Sequence, residues 1–326
     1  MSAGSSSTEN PPFESVNNVN GVLKLDTAKK YEELDVIGTG AYGTVYKARD
    51  LMNPEQIVAL KKVKLPLTED GIPLSTLREI ALLRQLNYYR HPNIVRLLDV
   101  CHGSQNLEKD RQLVLFLVFE HVEQDLESFL KNVRCHLSQR KIRSMSYDII
   151  SGVDFLHSHR IVHRDLKPHN LLVTSNGRVK IADFGLAKTY DVDMKLTSVV
   201  VTLWYRPPEV LLGCPYNSSV DVWSAGCVLV QLHTLQPLFP GTSEGDQLDL
   251  IFRVLGRPSR EEWPPNVSIV CDNFPEHPPR DLADVVPRAT SHALSLIEGM
   301  LKFHPYERLT ALDCLEHPYF TDEPLT

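Results

Sequence analysis

The sequence predicts an α+β chain of two unequal lobes, a small β-rich one followed by a larger α-helical one. Three observations predict it. Short β-rich runs separated by Gly, Asn and Pro turn signals begin at Tyr31, a single helical stretch interrupts them, and the pattern turns helical after Gln124. With 326 residues, 42% hydrophobic and 23% charged, the chain can bury a full core. The division reads as a tail over 1–28, a β-rich lobe over 29–123, a helical lobe over 124–320 and a short C-terminal tail over 321–326.

Residues 1–25 are rich in Ser, Asn and Pro and hold too little apolar material to offset ordering entropy, so they read as disordered. Strands follow at 33–37, 44–48 and 57–63, making a small antiparallel sheet. The helix at 75–86 carries Leu77, Ile80, Ala81 and Leu86 on its apolar face, and the run 112–119 reads as a buried strand. In the second lobe, 138–157 reads as a largely buried helix through Ile142, Tyr147, Ile149, Ile150, Val153 and Phe155. A short hairpin spans 171–181, and the polar, Pro-rich span 258–287 reads as an irregular surface insertion.

Composition narrows the function. A formal net charge of -7 gives no global attraction to nucleic acid or to an anionic membrane, so neither is an expected partner. The six cysteines are scattered, without a CxxC pair or a His at metal-ligand spacing, which fits a reduced intracellular compartment. The longest apolar run, 113–119, is too short to span a bilayer, and the N-terminus lacks the blocks of a signal peptide.

The chemistry is concentrated in HRDLKPHN, residues 163–170, and in DFG, residues 183–185. Phosphoryl transfer needs a base for the acceptor hydroxyl, a cation for the moving phosphate and oxygen ligands for magnesium. Asp165, Lys167, Asn170 and Asp183 supply these groups within a short stretch of chain. Upstream, Gly38, Gly40 and Gly43 in IGTGAYGTV permit a tight hairpin whose backbone can lie close over phosphates. A strand follows these glycines where a dinucleotide-binding fold would open a helix, which excludes that fold.

In VALK, residues 58–61, strand alternation puts Ala59 and Lys61 on one face and Val58 and Leu60 on the other. The small side chain leaves room for a base, and the lysine can reach the α and β phosphates. Glu79 lies on the helix opening with PLSTLRE, residues 73–79. It can pair with Lys61 or close a capping box with Thr76, and local sequence leaves both open.

Taken in order, these motifs resemble the eukaryotic protein kinases over nearly all of 31–320. PLSTLRE, FEHVEQDL, VVVTLWYRPPEVLL and DVWSAGCVLVQL resemble the cyclin-dependent kinases in particular. PLSTLRE followed by ALLRQL and HPNIVRLLDVC is most similar to the subgroup activated by D-type cyclins. The resemblance implies a bilobal protein kinase fold and an ATP- and magnesium-dependent serine/threonine kinase.

It also implies roles residue by residue. Asp165 would be the base, Lys167 and Thr202 would orient base and phosphate, Asn170 and Asp183 would hold magnesium, and Lys61 with Glu79 would complete the catalytic set. The nucleotide would lie against Ile37, Gly38, Thr39, Gly40, Ala41, Tyr42, Gly43, Thr44, Val45, Ala59, Lys61, Phe119, Glu120, Val122, Asp125 and Leu172, with Glu120 and Val122 presenting backbone groups to adenine. Glu209 would pair with Arg308 in the core, while Val201 and Arg206 would shape a pocket for proline, so that substrates carry Ser-Pro or Thr-Pro.

For control, Thr197 matches an activating phosphothreonine gathered by Arg78, Arg164 and Lys188, and Tyr42 an inhibitory phosphotyrosine beside Ala41, which replaces the usual threonine. Lys188 stands where arginine is usual and offers phosphate a point charge instead of a bidentate fork. His169 replaces Glu or Gln near the ribose, placing a titratable ring there. Pro207 replaces alanine and stiffens the segment end.

The implied partners are a D-type cyclin, inhibitor proteins, an activating kinase and a retinoblastoma-type substrate. The implied process is entry into the cell cycle, with cytoplasmic and nuclear residence. Two other readings remain: a catalytically weak kinase-fold scaffold that binds cyclins or inhibitors, and a mitogen-activated kinase, against which Val199 stands where a TxY pair has its tyrosine.

Overall fold

A computed structural model describes residues 30–40, 43–66, 74–102, 112–184, 188–189 and 203–322, with the side chains of 64–66, 74–79, 102, 112–113 and 188–189 outside the description. The tail predicted over 1–28 lies outside the described residues.

Strands β1 (Tyr31–Gly40), β2 (Gly43–Asp50) and β3 (Ile57–Pro66), helix α1 (Leu74–Tyr89), and strands β4 (Leu97–His102) and β5 (Gln112–Glu120) build the small lobe. The sheet runs β1-β2-β3-β5-β4, with every neighbouring pair antiparallel. β4 is an addition to the predicted strands, because Asp99 and His102 interrupt the alternation that would reveal it. Lys30 Nζ donates to Asp99 Oδ2 at 2.6 Å and Tyr31 Oη donates to the same oxygen at 3.3 Å, so the start of β1 reaches β4 at the other end of the strand order.

The alternation expected in β3 is present: Val58 and Leu60 are buried with Ala48, Val114, Phe116 and Val118 in a core under the sheet. Leu117, on the opposite face of β5, joins Leu82, Leu83 and Leu86 of α1 in the main core. Burial on both faces accounts for the unbroken apolar run in β5. Gly43, where β2 begins, has φ +132°, and a Cβ there would stand 2.0 Å from the Lys62 carbonyl oxygen. Only glycine fits this turn.

Helix α1 differs from its predicted form in two ways. Its backbone begins at Leu74, so Thr76 falls inside the first turn and away from the N-cap that a capping box requires. Among its described side chains the buried ones are Leu82, Leu83 and Leu86, whereas Ala81 faces solvent and the predicted Leu77 lies outside the described side chains. Alanine is apolar enough to suggest an inward face but too small to dictate one.

The large lobe contains β6 (Gln124–Asp125), α2 (Leu126–Lys131), α3 (Gln139–Ser158), β7 (Ile161–Val162), β8 (Leu171–Val173), β9 (Val179–Ile181), β10 (Lys188–Thr189), α4 (Pro208–Leu211), α5 (Ser219–Thr234), α6 (Glu244–Leu255), α7 (Leu282–Val285), α8 (Ser291–Met300), α9 (Ala311–Leu315) and α10 (Pro318–Thr321). The predicted hairpin over 171–181 is β8–β9. The predicted buried helix is α3, capped by Ser138, whose Oγ accepts from Lys141 N; Ile142, Ile149, Ile150 and Val153 are buried, and Tyr147 and Phe155 only partly so.

Helix α5 is buried on nearly every side and carries Trp223 at the centre of the lobe. Against it lies a buried ion pair: Arg308 donates to Glu209 Oε1 at 2.6 Å and Oε2 at 2.7 Å, while its guanidinium sits 4.9 Å from the Trp223 ring centroid. Backbone carbonyls of Lys302, Phe303 and Ser219 take the remaining donors. The pairing expected of Glu209 and Arg308 is therefore made.

The span 258–287 is largely irregular, as predicted, but it contains the short helix α7 and is not wholly superficial: Cys271, Phe274 and Val286 are buried. The Phe274 and Trp263 rings pack on Phe252 of α6 at 5.1 and 5.8 Å between centroids. Apolar residues scattered between prolines have no period, so sequence alone cannot show that they point inward. Among the described residues no helix is long and apolar enough to cross a membrane, and all six cysteines are unpaired.

Replacing Arg308 by Met leaves the Glu209 carboxylate buried and unpaired, and is expected to lower unfolding free energy by about 3–5 kcal/mol in chemical denaturation. Burial, then the Arg288 charge, pushes the His233 imidazole down to about 4. The unfolded chain takes up this proton below about pH 6.5 while the folded one does not, so stability falls through that window by up to about 3 kcal/mol. His233→Leu should reduce the difference between urea midpoints measured at about pH 7 and pH 5.

Candidate active site

The loop between β7 and β8 is shaped by one buried carboxylate. Asp221, near the start of α5 and 1% exposed, accepts from His163 N and Arg164 N, each at 2.8 Å, and from His157 Nε2 at 3.0 Å. Capturing two successive backbone N–H groups bends the chain, and Arg164 adopts φ +69°, a conformation that a non-glycine residue holds only when its surroundings impose it. Burial alone would push the Asp221 carboxyl up, but the His157 bond, helped by His163, outweighs it and holds Asp221 below the usual carboxylate range.

His163 links this loop to the next. Its Nε2 donates to the Ala182 carbonyl at 3.0 Å and its Nδ1 accepts from Asp165 N at 3.3 Å, which fixes the Nε2–H tautomer. The Phe184 ring, 3% exposed, packs edge-on to His163 at 5.5 Å.

Asp165 is 8% exposed and asymmetrically engaged. Its Oδ2 accepts from Lys167 Nζ at 2.8 Å and from Asn170 Nδ2 at 3.0 Å, while among the described residues Oδ1 accepts no hydrogen bond. Asn170 Nδ2 also donates to the Asp165 carbonyl at 2.7 Å, so the amide is held with Oδ1 as its remaining oxygen. Ala182 N donates to Asn170 O at 2.8 Å, placing Asp183 next to this pair, with Asp183 itself at φ +62°. Lys61 Nζ donates to Asp183 Oδ1 at 2.7 Å, joining β3 of the small lobe to the loop after β9.

Oxygen from Asn170 and a carboxylate from Asp183 suit a hard cation that completes its shell with phosphate and water. Among the described residues no cluster of three His, Cys, Asp or Glu side chains could hold a metal by itself.

The residues expected to bind the nucleotide lie chiefly on β1, β2, β3, β5 and β8. Ala59 stands opposite Phe119 across β3–β5, Gly38 opposite Val45 and Thr39 opposite Thr44 across β1–β2, and Leu172 lies on β8. Ile37 is 48% exposed and Val122 is buried. Asp125 caps α2, accepting from Ser128 N and Ser128 Oγ, so the structure gives it a local task as well. His169 is exposed beside the catalytic loop.

Ala41, Tyr42, Thr197, Val201 and Thr202 lie outside the described residues, as do the side chains of Arg78, Glu79 and Lys188. The Lys188 backbone is nevertheless brought opposite Val162 across β7–β10, two residues before Arg164.

Several residues that build the site are missing from the motif reading. Asp221 and His157 act through other residues, and their signal was only their place in DVWSAGCVLVQL and before HRD. Trp204 Nε1 donates to Gly241 O at 3.0 Å, Tyr205 Oη to Gln231 Oε1 at 2.7 Å and Ser224 Oγ to Tyr205 O at 2.8 Å, pinning the segment that leads into α4. These partners lie far apart in sequence and share no periodicity.

Residues 31–320 match the family model described as protein kinase domain. The chain is 49% identical over 296 residues to cyclin-dependent kinase 4 of Xenopus laevis, covering 90% of this chain and 92% of that protein. It is 48% identical over 300 residues to cyclin-dependent kinase 4 of Mus musculus, covering 91% and 98%, and 48% identical over 294 residues to that of Bos taurus, covering 89% and 96%. The chain therefore belongs to the protein kinase family and is an ATP-dependent serine/threonine protein kinase. Within that family it stands among the cyclin-dependent kinases.

Asp221→Asn should lower kcat by about a hundredfold through loss of loop geometry. Because the folded protein keeps Asp221 ionised to lower pH than the unfolded chain does, its contribution is present above the ordinary carboxylate range and lost as pH falls through the depressed value. The Asn variant should accordingly lose less stability than the parent between about pH 5 and pH 3, read from thermal melting across that range.

Proposed function

We propose that this chain is a cyclin-dependent, proline-directed kinase that transfers the γ-phosphate of ATP to Ser-Pro or Thr-Pro sites, with a D-type cyclin as partner and retinoblastoma-type proteins as substrates, acting at entry into the cell cycle. The observation that carries the reading is that the Lys61–Asp183 pair and the Lys167–Asp165–Asn170 group, each held by bonds of 2.7–3.0 Å, are joined by the Ala182 N to Asn170 O bond, which supports catalysis over a scaffold role.

In this mechanism Asp165 uses Oδ1, the oxygen free of hydrogen bonds among the described residues, to orient the acceptor hydroxyl and take its proton. Lys167, held on Oδ2, is placed to stabilise charge on the moving phosphoryl group. Lys61 releases part of its hold on Asp183 to contact the α and β phosphates, with Glu79 as its proposed partner on α1. Magnesium, when bound with ATP, neutralises charge on the phosphates. Asn170 and Asp183 would hold it. Glu120 and Val122 would bind adenine through backbone groups, and Thr202 would steady Asp165 and Lys167.

Proline recognition would fall to Val201 and Arg206, the latter 3.5 Å from Glu244. Phosphorylation of Thr197 would recruit Arg78, Arg164 and Lys188, and phosphorylation of Tyr42 would oppose nucleotide binding. Cyclin binding would act on α1, and inhibitor proteins, an activating kinase and movement between cytoplasm and nucleus complete the proposal. The two lobes would divide near residues 123–124.

The test is magnesium-dependent phosphate transfer to a Ser-Pro pocket-protein substrate by the purified chain, alone and with a D-type cyclin and a Thr197-activating kinase. Transfer should require the complex, and Asp165→Asn should reduce kcat by about 10²–10⁴. Tight cyclin binding without transfer, despite Thr197 phosphorylation, would favour the scaffold instead.

A further inference from the structure

Lys180 lies on β9 opposite Leu172 of β8, and its Nζ donates to Glu120 Oε1 at 2.7 Å. Both side chains are largely shielded, at 16% and 23% exposure. The same Glu120 oxygen accepts from Arg96 N at 2.8 Å, and Glu120 N donates to Arg96 O at 3.0 Å. Val95, the neighbour of Arg96, donates through its N to Ile181 O at 2.9 Å, and Ile181 is the neighbour of Lys180. The bonds thus close a ring, from Glu120 to Arg96, along the chain to Val95, across to Ile181, back to Lys180 and again to Glu120.

That ring spans the two surfaces between which adenine must enter. Glu120 ends β5 and begins the wall that presents backbone groups, while Lys180 is cross-strand to Leu172 on the floor. The ion pair is the member of the ring that ties wall to floor through side chains. A partly shielded carboxylate deprived of its cation would turn toward solvent and carry the wall backbone with it.

We infer that Lys180 is a positioning residue for adenine, setting the distance between wall and floor through Glu120. The inference rests on the ATP reading above and deepens it. Lys167 and Asn170 bond to Asp165, whose N–H reaches His163 and through it Asp221, and among the described residues none of the three bonds to Lys180 or Glu120, so the effect belongs to nucleotide binding and not to the transfer step.

The experiment uses the full chain in its cyclin complex, with KM for ATP, KM for peptide and kcat from initial rates, Kd for a fluorescent magnesium–ATP analogue from titration, and melting temperature. Lys180→Met should raise KM and Kd for the nucleotide about fivefold to tenfold, with kcat and peptide KM within about twofold. Lys180→Arg should restore both constants. Combining Glu120→Gln with Lys180→Met should raise the nucleotide constants no further than either change alone. Lys180→Gln, whose shorter neutral side chain removes the ion pair with Glu120 while staying polar, provides the comparison if the Met variant folds poorly, and an unchanged nucleotide Kd in it overturns the inference.

A parallel decline in kcat, peptide KM and melting temperature would likewise overturn it in favour of a general structural role. Failure of the wild-type complex to bind the nucleotide would overturn the ATP reading itself. Wild-type binding with an indifferent Lys180→Met overturns the positioning role alone.

Discussion

Charges that must meet across a cleft have to ride on elements that cannot drift, and in this molecule strand β9 supplies that constraint. Ile181 N donates to Asn93 O at 2.8 Å and Val95 N donates to Ile181 O at 2.9 Å, so the segment following α1 is sewn onto a strand of the large lobe. Asn93 Nδ2 adds a buried bond to Val179 O. Helix α3 approaches closely enough that a Cβ on Gly152 would stand 2.7 Å from Ile181 Cδ1 and 3.1 Å from Asn93 O. With Ile181 fully buried, β9 has no room to slide, and the residues after it inherit that fixity.

The large lobe puts ionised groups where water cannot reach them, which is tolerable only when each is fully partnered. Asp221 has three donors, and Glu209 faces a bidentate arginine whose remaining donors meet backbone carbonyls. Such networks contribute less to stability than apolar packing of equal volume would, but they admit one arrangement. Here the Asp221 network holds Arg164 in a left-handed backbone conformation beside Asp165. Orientation is the commodity phosphoryl transfer needs, since positioning and charge stabilisation supply most of its rate.

Much of this was legible beforehand. The alternation in VALK placed Lys61 toward the cleft, and Val58 and Leu60 are indeed in the core. The apolar runs of β5 and α3 announced buried elements. Spacing within HRDLKPHN and DFG identified residues that do converge. Less legible were features without periodicity: the inward-pointing Phe274 and Cys271, the solvent-facing Ala81, and strand β4, whose polar residues hide it. Each depends on what the rest of the chain brings alongside.

The sequence by itself determined which chemical groups are present, the order in which strands and helices carry them, and where glycine must stand, because periodicity, side-chain chemistry and backbone freedom are local properties. Only the tertiary structure decided which oxygen of Asp165 is occupied, that Asp221 organises the catalytic loop from 58 residues away in sequence, and that Lys180 reaches Glu120. The last two are contacts between residues 58 and 60 positions apart, and the first, though local in sequence, is a choice between two equivalent oxygens; all three are settled only when burial and the closure of β9 against its neighbours remove the alternatives.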